Sequence, residues 1–96
     1  MFSRAKKSSD VLLTVLVKKN NEALARLGLA IAKKNVKKAV QRNKIKRIVR
    51  ESFRLNKHRL EGFDIVVLCR QKAALASKKE LAMSIQMHWE KLLVNE

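Results

Sequence analysis

The sequence predicts an α+β fold in a single domain, and three observations support this. One short stretch is rich in apolar residues, a second alternates large and small side chains, and a third is almost continuously apolar. Each of these patterns is typical of a β-strand. Two further stretches repeat their apolar residues every three or four positions, which is typical of helices. The chain has 96 residues, a length that suits one domain. We therefore expect residues 1–96 to form an α/β sandwich with helices packed on one small sheet.

The N-terminal third is predicted to contain an arm and two strands. Residues 1–10 are basic and rich in serine, which is typical of a loop or arm. Residues 11–17 are apolar except for Thr14, and residues 27–32 alternate large and small side chains, so each stretch predicts a strand. Between them, residues 18–22 hold two asparagines, which tolerate the positive φ angles of tight turns. The two strands are close enough in sequence to form an antiparallel hairpin.

After Val36 the apolar period changes to that of a helix. One helix face would carry Ile45, Ile48, Val49 and Ser52, and another would carry a cationic stripe of Arg42, Lys46, Arg50 and Arg54. A row of charges on a helix is usually only a solvated face. Glu51, however, is the only carboxylate in residues 33–54, so salt bridges within the helix cannot neutralise the stripe. This imbalance favours contact with phosphates, and Arg42, Arg47 and Arg50 are best suited to oriented contacts.

The C-terminal part is predicted to be a strand followed by a helix. Gly62 indicates a helix stop or a turn, and residues 63–69 are apolar except for Asp64, as expected of a central strand covered on both faces. Ser77 and Glu80 have the spacing of a helix capping box. The apolar face of the closing helix would consist of Leu81, Ile85, Trp89 and Leu92.

The charge balance restricts the class of partner. Lysine and arginine number 23 against 8 acidic residues, a formal charge of +15, so we expect a nucleic acid or an anionic membrane as partner. A hydrophobic share of 47% argues against a disordered basic tail. Cys69 is the only cysteine, which excludes an internal disulfide. With no signal-peptide pattern and no apolar run of membrane-spanning length, a cytoplasmic protein is expected.

Residues 33–54, KKNVKKAVQRNKIKRIVRESFR, resemble the signature of the bacterial ribonuclease P protein component. Residues 26–32 and 63–68 resemble the strands on either side of that signature in the family, so the resemblance covers most of the chain. It implies the protein subunit of an endoribonuclease holoenzyme, which assists a catalytic RNA in removing the 5′ leader from precursor tRNA. It also implies that the RNA performs the hydrolysis with magnesium, so no catalytic residue, cofactor or metal site is expected in the protein.

The resemblance further implies two RNA-contacting surfaces. The family's arginine-asparagine-arginine element corresponds to Arg42, Asn43 and Lys44, where lysine replaces the usual second arginine. The surface for the catalytic RNA would comprise Lys33, Lys34, Lys37, Lys38, Arg42, Asn43, Lys44, Lys46, Arg47, Arg50 and Arg54. A cleft for the single-stranded leader would include Phe2, Thr14, Leu16 and Lys34.

For the fold, the resemblance implies a mixed sheet with a left-handed crossover through the basic helix, against the usual right-handed preference. The family's N-terminal helix is expected to be largely missing, with residues 1–10 a basic arm or its remnant. We expect a monomer that joins one RNA subunit.

Other functions remain open at this point. A ribosomal-type protein or general RNA chaperone could use the same stripe without a catalytic partner. An independent nuclease would need a carboxylate cluster or a histidine pair, and His58 and His88 are 30 residues apart, so we expect them at the surface or at helix ends. Cys69 and Trp89 are expected in the core rather than in a reactive site. Membrane-surface binding ranks last, because the apolar helix face is needed to cover the sheet.

Overall fold

The computed structural model describes residues 6–93 of the chain. Over these residues the elements are strands β1 (Lys6–Ser9), β2 (Leu13–Lys19) and β3 (Arg26–Ala30), helices α1 (Ala39–Leu55) and α2 (Lys57–Leu60), strand β4 (Phe63–Cys69), a 3-10 helix (Gln71–Leu75) and helix α3 (Lys78–Leu93). The predicted α+β class is confirmed. The predicted strand at residues 63–69 has the bounds of β4.

The four strands form one mixed sheet in the order β1-β2-β4-β3. β4 pairs antiparallel with β2 and parallel with β3, so its predicted central position is confirmed. The connection from β3 to β4 passes through α1, which makes α1 the crossover helix. The left-handed sense of this crossover stays a prediction.

Two predictions for the N-terminal third are wrong. Residues 6–9 form the edge strand β1, antiparallel to β2, rather than belonging to an arm. The next two strands do not form a hairpin, because β4 lies between β2 and β3. The connection between them does contain a positive φ, at Asn21, and it is fastened to the start of β4. There the Asn20 amide N–H donates to the Gly62 carbonyl over 2.8 Å, and the Asn20 side chain donates to Asp64 over 3.0 Å.

Among residues 6–93, helices cover only one face of the sheet, so the prediction that β4 is covered on both faces is wrong for the described part of the chain. Side chains of β4 alternate between a buried set, from Phe63 to Cys69, and a half-exposed set of Asp64, Val66 and Leu68. The buried set shares one hydrophobic cluster with residues of α1 and α3. Because no element within residues 6–93 covers the opposite face, this open face is a second surface for contacts in the described part of the chain.

The two long helices cover the sheet with the residues that their periodicity predicts. Ile45, Ile48 and Val49 of α1 are buried, and Trp89 of α3 is fully buried. The Trp89 indole N–H donates to Ser52 Oγ over 2.8 Å, so the polar edge of this side chain is also satisfied. Burying a side chain of this size stabilises the fold by roughly 2–3 kcal/mol.

The capping box at the start of α3 is confirmed. The Ser77 amide N–H donates to Glu80 Oε1 over 2.8 Å, and the Glu80 amide N–H donates to Ser77 Oγ over 3.1 Å. These reciprocal bonds satisfy two backbone donors that the first turn of a helix leaves without an intrahelical partner.

A buried polar cluster connects β1 to α3. His88 is fully buried, so the expectation that it lies at the surface is wrong; His58 is exposed, as expected. The His88 Nδ1 atom is 2.6 Å from Ser8 Oγ, and its Nε2 atom is 3.5 Å from Asp10 Oδ2. Asp10 accepts a further hydrogen bond from Ser84 over 2.6 Å. Ser8 on the edge strand therefore gives Nδ1 a hydrogen-bond partner, whereas Nε2 is buried with no hydrogen bond from residues 6–93 and has only the nearby Asp10 carboxylate to attract it.

Gly62 has a φ of 86°, in a region that side chains with a Cβ rarely adopt, and an added Cβ would lie 3.4 Å from the Glu22 carbonyl oxygen. We expect Gly62→Ala to lower the free energy of unfolding by about 1–2 kcal/mol, because alanine resists this conformation. Urea denaturation would measure the change. Gly28→Ala is the control, since a Cβ there meets atoms only at 3.8 Å. Equal losses at the two glycines would contradict the prediction.

Burial lowers the pKa of His88 below 6.5, although the Asp10 carboxylate partly opposes this. The unfolded chain therefore binds the proton more readily, and stability should fall as the pH drops below about 6.5. The pKa of Asp10 is also lowered, because hydrogen bonds from Ser84, Leu13 and Leu12 outweigh the effect of its burial, so acid below about pH 4 should destabilise the fold further.

We expect the melting temperature of the natural sequence to be lower at about pH 5.5 than at about pH 7.5. His88→Gln should remove most of that difference while lowering stability at both pH values. His58→Gln, at the exposed histidine, is the matched control and should leave the difference intact. If His58→Gln lost the pH dependence and His88→Gln kept it, the assignment of this dependence to His88 would be refuted.

Candidate RNA interface

The outer face of α1 carries cations that the described residues do not neutralise. Within residues 6–93, no carboxylate pairs with Lys44, Lys46, Arg47 or Arg50. The buried residues of α1 lie on the opposite side of the helix and hold it on the sheet. The sequence therefore fixes the direction in which the stripe points, which is away from the core and towards solvent.

A shallow cleft along α1 brings most of the predicted stripe together. This helix cleft has a volume of about 440 Å³ and is lined by Asn43, Lys46, Arg47, Arg50, Glu51 and Arg54. Glu51 pairs with Arg54, and this hydrogen bond lowers the pKa of the Glu51 carboxyl. Arg54 is accordingly the cation of the cleft whose charge is balanced, whereas Arg47 and Arg50 keep their guanidinium groups available for phosphate oxygens.

Arg42 lies outside the helix cleft, and its side chain donates hydrogen bonds to backbone carbonyls. Its Nη1 atom donates to the Val36 and Lys37 carbonyls over 2.9 and 2.7 Å, and the side chain is half-buried. These bonds hold the segment that leads into α1. Arg42 keeps its predicted place beside Asn43, but part of its donor capacity is already used.

The lysines before α1 lie between the two predicted surfaces. Lys33 and Lys34 are in an exposed turn, and Lys37 and Lys38 are exposed in the segment that follows. The turn is fastened to the sheet, because the Asn35 side-chain amide donates to the Cys69 carbonyl over 3.0 Å. These four lysines therefore extend the positive surface from α1 to the end of β4.

The open face of the sheet contains the second predicted surface. Thr14 and Leu16 are half-buried there, on the strand next to β4. A sheet cleft of about 620 Å³ lies at one end of this face and is lined by Thr14, Ala30, Ile31, Ala32, Asn35, Leu68, Cys69 and Arg70. Lys34 adjoins the sheet cleft in the turn. Leu16 is the next residue after Thr14 along β2 whose side chain lies on the open face, and Phe2 lies outside the described residues.

Sequence reasoning missed Arg70 and Asn35 as members of the sheet cleft. The Arg70 Nη1 atom donates to Ser9 Oγ over 3.2 Å and to the Asp10 carbonyl over 3.0 Å, which fixes a cation at the rim. Its position directly after an apolar strand could have indicated an exposed charge at the edge of the sheet. Asn35 gave no comparable signal, because its role depends on the approach of the β4 terminus.

Cys69 lines the sheet cleft with its backbone and keeps its side chain in the core. Burial raises the pKa of the Cys69 thiol to about 11, so the reactive thiolate is scarce at neutral pH. Among residues 6–93, no three histidine, cysteine or carboxylate side chains group together as metal ligands. No helix within the same residues has the length and apolarity needed to cross a membrane.

Comparison with known proteins identifies relatives along nearly the whole chain. The family profile described as Ribonuclease P matches residues 1–93. The ribonuclease P protein component of Methylococcus capsulatus is 46% identical over 89 residues, which cover 93% of this chain and 70% of that protein. The ribonuclease P protein component of Pseudoalteromonas translucida is 41% identical over 92 residues, which cover 96% of this chain and 66% of that protein.

Solved structures show the same fold. The RNase P protein of Staphylococcus aureus superposes with a TM-score of 0.80 at 30% identity, covering 94% of this chain and 84% of that one. The RNase P protein of Thermotoga maritima, solved with 1-(4-fluorophenyl)-2-thiourea, also has a TM-score of 0.80, at 34% identity, with coverages of 91% and 85%.

If roughly five phosphates contact the positive surface, RNA affinity should fall about 500-fold between about 50 and 200 mM salt, from a slope of about 0.9 per contact. Replacing Arg47 and Arg50 with alanine should remove two contacts, so the loss over the same range should shrink to about 40-fold. Filter binding with a structured RNA would measure both slopes.

The matched control replaces Lys57 and Lys91, two exposed cations outside α1, with alanine. This variant loses the same net charge, so its salt slope should stay close to that of the natural sequence. An equal reduction in both double variants would show that binding follows net charge rather than the face of α1.

Proposed function

The chain belongs to the ribonuclease P protein family, and from this premise we propose that it binds the RNA subunit of ribonuclease P through the outer face of α1. The chain would then assist the endoribonuclease holoenzyme that removes the 5′ leader from precursor tRNA. The RNA would carry out the hydrolysis with magnesium, and the protein would contribute binding and positioning only.

The observation that carries this proposal is the unbalanced charge of α1. A helix that presents Lys46, Arg47 and Arg50 without carboxylate partners repels itself, and the cost is relieved when phosphates replace the missing anions. Arginine provides a planar pair of donors that matches two phosphate oxygens. Lys44, in place of the family's usual arginine, would supply attraction without that bidentate geometry.

We propose the sheet cleft as the site for the single-stranded leader. Single strands are held by a positive groove together with apolar or stacking platforms, and the open face combines both. Arg70 and the neighbouring Lys34 supply positive charge at one end, and Leu16 and Leu68 supply apolar surface. Gly28 has no side chain and Ala30 carries only a methyl group, so the sugar-phosphate backbone of the leader has room to approach the sheet.

The remaining parts of the proposal concern assembly. One copy of the chain would join one RNA subunit in the cytoplasm, with the magnesium ions held by RNA phosphates. A general RNA chaperone with the same positive surface would bind unrelated structured RNA equally well. That difference separates the two functions experimentally.

We expect the chain to raise the cleavage rate of precursor tRNA by ribonuclease P RNA by roughly tenfold or more at low magnesium, equivalent to about 1.4 kcal/mol in the barrier. Protein phosphate contacts should replace part of the charge screening that magnesium provides. Initial rates with and without the protein would measure the effect. Equal affinity for ribonuclease P RNA and an unrelated folded RNA, without stimulation, would support the chaperone instead.

The same reconstituted enzyme tests the leader site. Leu16→Glu places a carboxylate on the open face and should weaken binding of precursor tRNA with a leader by roughly tenfold, within the range expected for one lost base contact. Mature tRNA, which lacks the leader, should bind as before. Leu24→Glu, at an exposed leucine in the connection before β3, is the matched control and should change neither affinity.

A further inference from the structure

A groove between α1 and α3 combines apolar walls with two cations that form no ion pair within residues 6–93, and it shares only Arg47 and Glu51 with the helix cleft. This interhelical groove has a volume of about 440 Å³, within the roughly 300–1,000 Å³ typical of ligand sites. The α1 side contributes Arg47, Ile48, Glu51, Ser52 and Leu55, and the α3 side contributes Lys78, Ala82 and Gln86. The sheet lies beneath the two helices, so the groove opens on the side of the molecule away from the sheet cleft.

The groove is apolar in its interior and positive at its rim. Leu55 is 69% exposed although it is a large hydrophobic residue, and Ala82 is exposed on the facing helix. Ser52 lines the groove, and its Oγ atom accepts the Trp89 indole N–H, so this part of the lining is held by a fixed contact. An occupant would therefore meet a preformed apolar surface.

The charges around the groove select the chemistry of the occupant. Arg47 and Lys78 form no ion pair within residues 6–93. Glu51, the acidic residue of the lining, is hydrogen-bonded to Arg54, and the charge of Lys78 also helps to lower the pKa of the Glu51 carboxyl. A second copy of this chain would bring a charge of the same sign, which opposes self-association through this surface. A planar apolar group attached to a phosphate matches both the apolar interior of the groove and the positive charge at its rim.

Arg47 also lines the helix cleft, so the two surfaces are continuous. RNA that lies along the outer face of α1 would reach the groove without leaving the protein. Unpaired nucleotides are the parts of folded RNA whose bases can leave the stack, and an arginine plane can stack on them.

We propose that the interhelical groove takes up an unpaired nucleotide of the ribonuclease P RNA subunit, with the base between Ile48, Leu55 and Ala82 and the phosphate near Arg47 and Lys78. This inference rests on the proposed function, because it assigns a further contact to the same RNA. It adds α3 to the RNA-binding surface and gives the protein a way to recognise RNA shape rather than charge alone.

Ala82→Glu tests the groove directly. Glutamate is a good helix former, so the exposed substitution should not disturb α3, and circular dichroism would verify this. The new carboxylate would occupy the groove between the two cations. We expect affinity for ribonuclease P RNA to fall roughly tenfold or more, within the range measured when one base-stacking contact is lost.

Ala23→Glu is the matched control, because Ala23 is exposed in the connection between β2 and β3 and the change in net charge is the same. It should alter affinity by less than about threefold, the contribution of general electrostatics. Equal affinities of the two variants would overturn the groove proposal. If the unaltered chain does not bind this RNA selectively, the proposed function fails instead, so the two failures are distinguishable.

A crosslinking experiment identifies the occupant. Cys69 is buried and its thiol has a raised pKa, so a cysteine introduced by Ala82→Cys can be labelled selectively with a benzophenone maleimide. Irradiation of the reconstituted holoenzyme should give a crosslink concentrated at one unpaired stretch of the RNA subunit. Crosslinks only to precursor tRNA, only to paired RNA, or no stronger than those from labelled Ala23→Cys would overturn the proposal.

Discussion

The fold depends on the one-sided burial of β4. This strand supplies both pairing edges for its neighbours, and its alternate side chains from Phe63 to Cys69 anchor the cluster on which α1 and α3 pack. Both long helices pack on that face and contribute to the same hydrophobic cluster. The other face is left open, and α1 is left with its cations directed outwards. Both candidate RNA surfaces follow from this single asymmetry.

Much of this arrangement could be predicted where the determinants are local. The buried face of α1, the capping box at Ser77 and the bounds of β4 all depend on residues within a few turns or pleats of each other. Strand pairing depends on contacts between distant segments, so proximity in sequence favoured a hairpin that the central position of β4 prevents. The burial of His88 depends on Ser8, 80 positions earlier, and no periodicity indicates such a partner.

Most of the 8 acidic residues hold backbone amides or cations outside the stripe, so they do little to balance it in a chain with a charge of +15. Asp10 accepts the Leu12 and Leu13 amides, Glu80 closes the capping box, and Asp64 and Glu22 hold Arg26. Glu90 holds Arg59 on α2. These positions lie away from the centre of α1, so the carboxylates stabilise corners of the fold and leave the stripe unbalanced. The exposed, unbalanced stripe of α1 was therefore easier to predict from sequence than the sheet order, while its contact with RNA stays a prediction.

The bond between Ser8 and His88 can form only after α3 has been synthesised. Contacts between residues so far apart close a long loop, and folding dominated by such contacts is slow. During synthesis, β1, β2 and α1 leave the ribosome well before α3, at roughly 5–20 residues per second. Until α3 arrives, the apolar face of the sheet has only α1 to cover it. The arrival of α3 is thus the step that covers the remaining apolar surface of the sheet within residues 6–93.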